Sequence, residues 1–280
     1  MRFGIYTNLT RDENGRVTVQ LAEILKSKRI PFAMSEELSG IKYDCEYLPN
    51  DELAKASDVI VVFGGDGTVL RIAKDCARHD CGIFAVNLGN IGFLTEIESA
   101  RLEKAIISIC KNQIKNEYRS LLEIYFKGKS YTALNEVVIS RGSRTKMVYL
   151  DLMVNDLLVN RVRADGLIVS SPTGSTAYSL SAGGPIVAPD VDAFIITPVC
   201  PHSFYSRPFV INNKSTVKIY LLRADPCAYL NVDGEEEEIM GIGDMVEIKK
   251  SALDAKFIRL KSYNFYSNII QKMDTWKRER

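Results

Sequence analysis

The stretch that most constrains this chain runs from Val59 to Ala77, VIVVFGGDGTVLRIAKDCA. Val59 to Phe63 are β-branched or aromatic without a polar break, which suits a strand buried on both faces of a parallel sheet. Beyond the glycines, Val69, Ile72, Ala73, Cys76 and Ala77 recur at i, i+3, i+4, i+7 and i+8. Arg71, Lys74, Asp75 and Arg78 fill the opposite face, the pattern of an amphipathic helix. A strand therefore runs into a helix through Gly64-Gly65-Asp66-Gly67-Thr68, and the chain must contain an α/β unit built around that turn.

Three glycines in four positions permit positive φ and let a ligand approach the backbone without meeting a Cβ. The first amides of the following helix lack intrahelical acceptors and carry the positive end of its dipole, so an anion is stabilised there. Gly64, Gly65, Gly67 and Thr68 are thus candidates for binding a phosphate. Asp66 does not fit simple anion binding, because phosphate repels a carboxylate. It either holds a cation, hydrogen-bonds a ribose hydroxyl or takes a proton from one, or else satisfies turn amides while Thr68 caps the helix.

The α/β pattern extends on both sides of this turn. Phe3 to Thr7 reads as a strand and Val17 to Lys28 as a helix with Val19, Ala22, Leu25 and Ile24 inward. A weak strand at Phe32 to Met34 and a short helix at Glu52 to Ala56 follow. Beyond the central unit, Ile83 to Asn87 is a strand, and Leu88 to Thr95 forms a second glycine loop. Leu102 to Cys110 then reads as a helix with Leu102, Ile106, Ile107 and Cys110 on one side. Residues 1–110 are expected to form an open, mostly parallel sheet with helices on its faces. Both glycine loops then lie at the carboxyl edge, where such sheets bind ligands. Phe93 in the second loop is either packing or a pocket contact.

From about Glu117 the texture changes to short strand-like runs at 121–126, 137–140, 148–154, 157–162, 167–170, 195–199, 217–222, 228–232 and 245–249. Turn signals such as Asn155-Asp156 and Asp233-Gly234 separate them. Residues 111–261 are therefore expected to form a β-rich, sandwich-like domain. The run Glu235 to Glu238 reads as a solvated edge guarding a hairpin. Residues 262–280, helical or irregular with a basic end, are expected to pack back on the first domain.

Composition limits the partners. Lys and Arg total 36 against 35 Asp and Glu, a net charge of +1, so no electrostatic footprint for nucleic acid is expected. No run approaches the length of a membrane span and the N-terminus offers no signal peptide. Six cysteines without a C-x-x-C pair, and only two histidines, argue against structural zinc and for free thiols in the cytoplasm. Asn8 and Asn213 then match the glycosylation triplet by chance.

Three further constellations carry chemistry. Asn135-Glu136 interrupts the strand-like A-L-N-E-V-V-I-S, and a buried Asn can satisfy both edges of an adenine. Arg163-Ala164-Asp165-Gly166 precedes a strand and then Pro172-Thr173-Gly174-Ser175-Thr176-Ala177-Tyr178-Ser179-Leu180-Ser181-Ala182-Gly183-Gly184-Pro185. Small hydroxyl residues and glycines there make a close-fitting polar wall, with Tyr178 able to stack on a flat ring. Thr197-Pro198-Val199-Cys200-Pro201-His202-Ser203 is a stiff segment in which His202 serves either as a structural hydrogen-bonder or as a general base.

Together, G-G-D-G-T at 64–68, N-E at 135–136, D-G at 165–166, the 172–185 run and T-P-x-x-P-H-S resemble the bacterial NAD kinases. The first motif alone is similar to those of diacylglycerol and sphingosine kinases and close to that of phosphofructokinases; the 172–185 run is far more specific. Ser171-Pro172 departs from the common Thr-Pro. The resemblance implies phosphoryl transfer from ATP, or in some members polyphosphate, to the adenosine-ribose 2′-hydroxyl of NAD. It also implies Mg2+ or another divalent cation with the ATP, and a homo-oligomer, usually a tetramer. By position, Asp66 would hold the ribose hydroxyl and act as general base. Asn135 and Glu136 would hold adenosine and help order metal and phosphate. Thr173, Thr176, Ala177 and Tyr178, with Ser181 beside them, would line the NAD subsites, Asp165 would contact the nicotinamide end, and Phe93 would line the pocket. A lipid kinase of the same superfamily, needing an apolar acceptor cleft, and a non-catalytic dinucleotide sensor are the alternatives. A dehydrogenase is disfavoured because no G-x-G-x-x-G follows a strand.

Overall fold

A computed structural model describes residues 1–89, 92–203 and 206–278, without the side chains of Glu236 and of residues 275–278. The chain divides into two compact units, residues 1–118 with 255–280 and residues 119–254. Two long strands, Ile114–Phe126 and Met245–Leu260, cross the limits of these units, which fall at 118/119 and 254/255 where 110/111 and 261/262 were expected.

In the first unit, β1 (Phe3–Thr7), α1 (Arg16–Ser27), β2 (Phe32–Ser35), β3 (Glu46–Leu48), α2 (Asn50–Ala56), β4 (Val59–Gly64), α3 (Asp66–Arg78) and β5 (Gly82–Asn87) follow in order. The strands form a parallel sheet in the order β3-β2-β1-β4-β5. Every residue of β4 and β5 is buried, as apolar runs covered on both faces require. The short β6 (Ile97–Glu98) adds to β5, and α4 (Leu102–Cys110) follows.

Two helix faces differ from the sequence reading. In α1 the buried positions are Thr18, Leu21, Ala22 and Leu25, with Val19 and Ile24 only half-buried. The stripe is set by polar Thr18, whose hydroxyl pairs with Thr7 and whose amide and hydroxyl donate to the carboxylate of Asp12. In α4 the inward set is Leu102, Ala105, Ile106 and Ile109, while Cys110 at the last turn is exposed.

The second unit is antiparallel. After β7 (Ile114–Phe126) come β8 (Lys129–Ala133), β9 (Glu136–Arg141), β10 (Val148–Val154), β11 (Leu157–Ala164), β12 (Gly166–Ser170), the single turn α5 (Tyr178–Ser181) and β13 (Ala193–Val199). Next are β14 (Phe209–Asn212), β15 (Val217–Arg223), β16 (Ala228–Val232), β17 (Glu236–Met240) and β18 (Met245–Leu260). One sheet carries β11-β10-β15 and the first part of β18, the other β14-β13-β12-β9-β16-β17. Leu150, Ile219 and Val246 of the first share one core with Ile139, Val169 and Phe194 of the second. The expected sandwich-like character is therefore observed.

Asn155 and Asp156, both at positive φ, join β10 to β11, the geometry a two-residue hairpin needs. The last three residues of the acidic run lie on β17, an edge strand, where Glu238 is bound by Lys129 and Tyr131. The last part of β18 runs parallel to β5 at Phe257 in the first unit, which also contains α6 (Phe265–Arg278).

Candidate active site

In the first unit β4 passes into α3 through a single residue, Gly65, which stands at the helix N-cap. Thr68 is therefore not the cap; it is buried, and its amide donates to the Gly65 carbonyl. Of the three glycines only Gly64 has a positive φ, at 157°, close to fully extended. The turn uses its glycines for space rather than for left-handed backbone. A side chain on Gly64 would collide with Thr68, whereas one on Gly67 would meet nothing within 4 Å, leaving the first helical turn open to a ligand.

Asp66 reaches across to the second glycine loop, of which residues 90 and 91 lie outside the described residues. Its Oδ2 accepts the Phe93 amide at 2.9 Å and its Oδ1 the Leu94 amide at 3.0 Å. A Cβ on Gly92 would stand 2.0 Å from Oδ1, so only glycine lets the two loops close on each other. The Asp66 side chain remains 30% exposed. Lys272 of α6 places Nζ 3.9 Å from Oδ2 and 3.7 Å from the centre of the buried Phe93 ring.

Beneath this pair lies Arg259, 1% exposed. Its Nε and Nη2 donate to Glu117 Oε1 at 3.1 and 3.0 Å, and its Nη1 to the Leu94 carbonyl at 3.1 Å. The Leu94 peptide thus joins Arg259 on its oxygen to Asp66 on its nitrogen. Glu96 Oε2 stands 3.5 Å from Arg259 Nη1. Burial pushes the Glu96 carboxyl up to about 7, although the charge of Arg259 pulls the other way.

On the other side of the turn, Arg11 Nη1 lies 3.1 Å from where a Cβ on Gly65 would be. Arg11, Arg16, Asn87 and Gly89 line a cavity of about 780 Å³, within the usual range for small-molecule sites.

In the second unit, Glu136 opens β9 opposite Ser170 of β12, and Asn135 precedes it. Asp233 clamps this segment: Oδ2 accepts the Leu134 amide at 2.7 Å, and Oδ1 those of Asn135 and Glu136 at 2.9 and 3.0 Å. The Ser171 amide donates to the Asn135 carbonyl at 2.9 Å, and a Cβ on Gly174 would fall 2.2 Å from that same oxygen. Asn-Glu and Pro-Thr-Gly-Ser-Thr are therefore stitched backbone to backbone. Thr173 is buried with Arg119 Nη1 3.4 Å from its hydroxyl, Thr176 and Ala177 are half-buried, and Tyr178 and Ser181 are exposed. Asp165, paired with Arg141 Nε at 2.9 Å, stands at the opposite end of β12, a strand length of about 15 Å from Glu136.

Residues 3–114 match the family model described as the ATP-NAD kinase N-terminal domain, and residues 134–260 match the ATP-NAD kinase C-terminal domain. The chain belongs to the NAD kinase family. An NAD kinase of Methanothermobacter thermautotrophicus is 36% identical to it over 277 residues, 98% of this chain and 96% of that one. A solved NAD kinase from Archaeoglobus fulgidus in complex with ATP is 28% identical with a TM-score of 0.79, covering 97% of this chain and 98% of its own. Yeast NADH kinase complexed with NADH, 24% identical, shares the fold with a TM-score of 0.86 over 98% of this chain and 86% of its own.

Among the described residues of this NAD kinase family member, no three His, Cys, Asp or Glu side chains are grouped to hold a metal. A Mg2+ ion carried by a triphosphate needs only one or two protein carboxylates, and Glu136 suits that part. It is 8% exposed and its Oε2 has no hydrogen-bond partner. Burial, reinforced by the Asp233 carboxylate, pushes it up to about 8.

This raised value has a consequence for stability. Between the ordinary carboxyl value of 4.5 and about 8, the folded state keeps a proton that the unfolded state has released. Folding stability therefore falls as pH rises through that window, by up to about 1.4 kcal/mol per pH unit. Denaturant titrations at pH 5 and pH 8 should show wild type losing a few kcal/mol that Glu136→Gln retains. Equal slopes for the two proteins would remove Glu136 as the titrating group.

Arg11, Glu96, Glu117, Arg119, Asp233, Arg259 and Lys272 were not among the sequence candidates. Arg259 carried a legible signal, a lone charge inside the apolar Phe257-Ile258-Arg259-Leu260. Asp233 also stood out, but only as half of a turn dipeptide. Lys272 carried no signal, since a lysine in a polar C-terminal helix is unremarkable.

Proposed function

We propose that this chain is an NAD kinase that transfers the γ-phosphoryl group of ATP to the 2′-hydroxyl of the adenosine ribose of NAD, giving NADP and ADP. The observation that carries this reading is Asp66, an accessible carboxylate fixed by two loop amides at the mouth of a phosphate-type turn, in a chain whose two halves both match the family. Asp66 accepts the hydroxyl proton as the new oxygen–phosphorus bond forms and the bond to the leaving ADP oxygen breaks. Gly64, Gly65, Gly67 and Thr68 present the turn to the phosphates, and Arg11 beside Gly65 adds positive charge. Phe93 lines the acceptor side.

Asn135, Thr173, Thr176, Ala177 and Ser181 form the adenosine wall, on which the exposed Tyr178 offers a ring for stacking. Asp165, a strand away, takes the nicotinamide end, a separation that suits an extended dinucleotide. Mg2+ bound with the ATP would offset phosphate charge, and Glu136 is the carboxylate we assign to ordering it. We also propose a cytoplasmic setting, supported by six free cysteines, and a homotetramer, which rests on the family resemblance. Among the described residues no helix is long and apolar enough to cross a membrane.

The test is incubation of the purified chain with ATP, Mg2+ and NAD. NADP formed at a rate proportional to enzyme supports the kinase; tight NAD binding without turnover, or phosphorylation of a diacylglycerol instead, would overturn it.

A further inference from the structure

Lys272 lies some two hundred residues from the Gly-Gly-Asp-Gly-Thr turn in sequence, yet its ammonium faces Asp66 at 3.9 Å. The helix that carries it is anchored at the same place. Asn268, one turn earlier, has Nδ2 3.5 Å from the Phe93 carbonyl, and Lys272 itself lies over the Phe93 ring. Two side chains of α6 thus meet the loop residue whose amide holds Asp66 Oδ2.

The separation from Asp66 is that of an ion pair and exceeds a hydrogen bond, so charge rather than a fixed bond relates the two. Burial also pulls the Lys272 ammonium down from its ordinary value, with the Asp66 carboxylate opposing. A half-buried cation beside a carboxylate costs desolvation. A solvated lysine elsewhere on α6 would avoid that cost, and the Phe93 ring alone could be covered by an apolar side chain.

We propose that Lys272 is a catalytic residue of the phosphoryl transfer, its ammonium contacting the transferring phosphoryl group beside Asp66. This rests on the kinase reading above and deepens it. If Asp66 takes the proton of the acceptor hydroxyl, the acceptor oxygen sits within hydrogen-bond distance of the carboxylate. In-line transfer then brings the equatorial oxygens of the phosphoryl group beside that oxygen. A cation already 3.9 Å from the carboxylate is within reach of those oxygens, and the flexible lysine stem permits the small shift. As the acceptor oxygen–phosphorus bond forms and the bond to ADP breaks, negative charge spreads over the phosphoryl oxygens, where a preorganised ammonium stabilises it. Once the hydroxyl proton has passed to Asp66, the ion pair weakens and Lys272 is drawn toward the phosphate.

The proposal and a purely structural part for Lys272 separate in kinetics. Lys272→Met keeps most of the length of the unbranched side chain and its packing on Phe93 but removes the charge. It should lower kcat by roughly 10²-fold, the scale for losing one preorganised donor. NAD affinity should change less than about threefold, because the acceptor alone does not call on the charge. Lys272→Arg should recover part of the rate. In Lys272→Ala, added ethylammonium should restore activity in a saturable manner, which a helix staple would not do. Thermal melting of each variant checks that α6 remains docked. Lys272→Met with kcat within threefold of wild type would overturn the proposal. So would a loss that tracks the melting temperature and is not rescued by the amine. Absence of NADP formation by wild type would instead overturn the kinase reading.

Discussion

Asp66→Asn is expected to give a folded protein whose kcat for NADP formation falls by roughly 10²–10⁴-fold, the range for loss of general-base assistance. The carboxylate now accepts two amides, from Phe93 and Leu94, and keeps a second lone pair on each oxygen for the substrate. Asparagine preserves the shape and one acceptor oxygen but turns an NH2 toward the other amide and takes no proton near neutral pH. One loop hydrogen bond is therefore lost, at about 1–3 kcal/mol, and thermal melting should register it. NAD binding by calorimetry should change far less than kcat. If Asp66 served only to tie the two loops together, kcat at saturating substrates would stay near wild type, with the loss confined to stability and KM. That result would end the base assignment.

How much of this was legible in the sequence depends on how far apart the interacting residues stand. The strand, turn and helix from Val59 to Ala77 could be read because their periodicity is local, and all five apolar positions of α3 singled out are buried. The α1 face departs from its apolar pattern because a buried threonine looks like a surface residue until its partners, Thr7 and Asp12, are known. Strands β8, β14 and β17 were not recognised; each is only four or five residues long, and Lys129-Ser130 and Glu236-Glu237-Glu238 read as polar. At the site, contiguous motifs were visible and their supports were not. Asp66 could be singled out, but its amide donors lie 27 and 28 residues on, and Lys272 and Arg259 return from the far end of the chain. Asp233 shows the limit most clearly. Asp-Gly at a strand end is a turn signal whether its carboxylate is solvated or, as here, buried against three backbone amides.

Arg259→Met should be among the most damaging single changes in the first unit. A guanidinium 1% exposed, bonded to Glu117 and to the Leu94 carbonyl, takes its donors away from a carboxylate and a peptide oxygen when it is removed. Breaking a buried pair from one side costs about 3–5 kcal/mol. At roughly 2–4 °C per kcal/mol, the melting temperature should fall by on the order of 10 °C. The loss should also depend on pH. Glu96, which burial already pushes up to about 7 against the pull of Arg259, will hold its proton to still higher pH once that charge is gone. A carboxyl raised in the folded state contributes stability that is lost as pH climbs through its folded value. Through Glu96 the variant therefore continues to lose stability above pH 7, where that contribution has levelled off in wild type, and the gap between them should be wider at pH 8 than at pH 6. Equal gaps at the two values would uncouple Glu96 from Arg259. A third readout separates scaffold from site: the Leu94 peptide that loses its Arg259 donor is the one whose amide holds Asp66 Oδ1. Even at a temperature where the variant is fully folded, kcat should fall about tenfold while NAD affinity is kept, because a small misplacement of the base raises the barrier without removing a substrate contact.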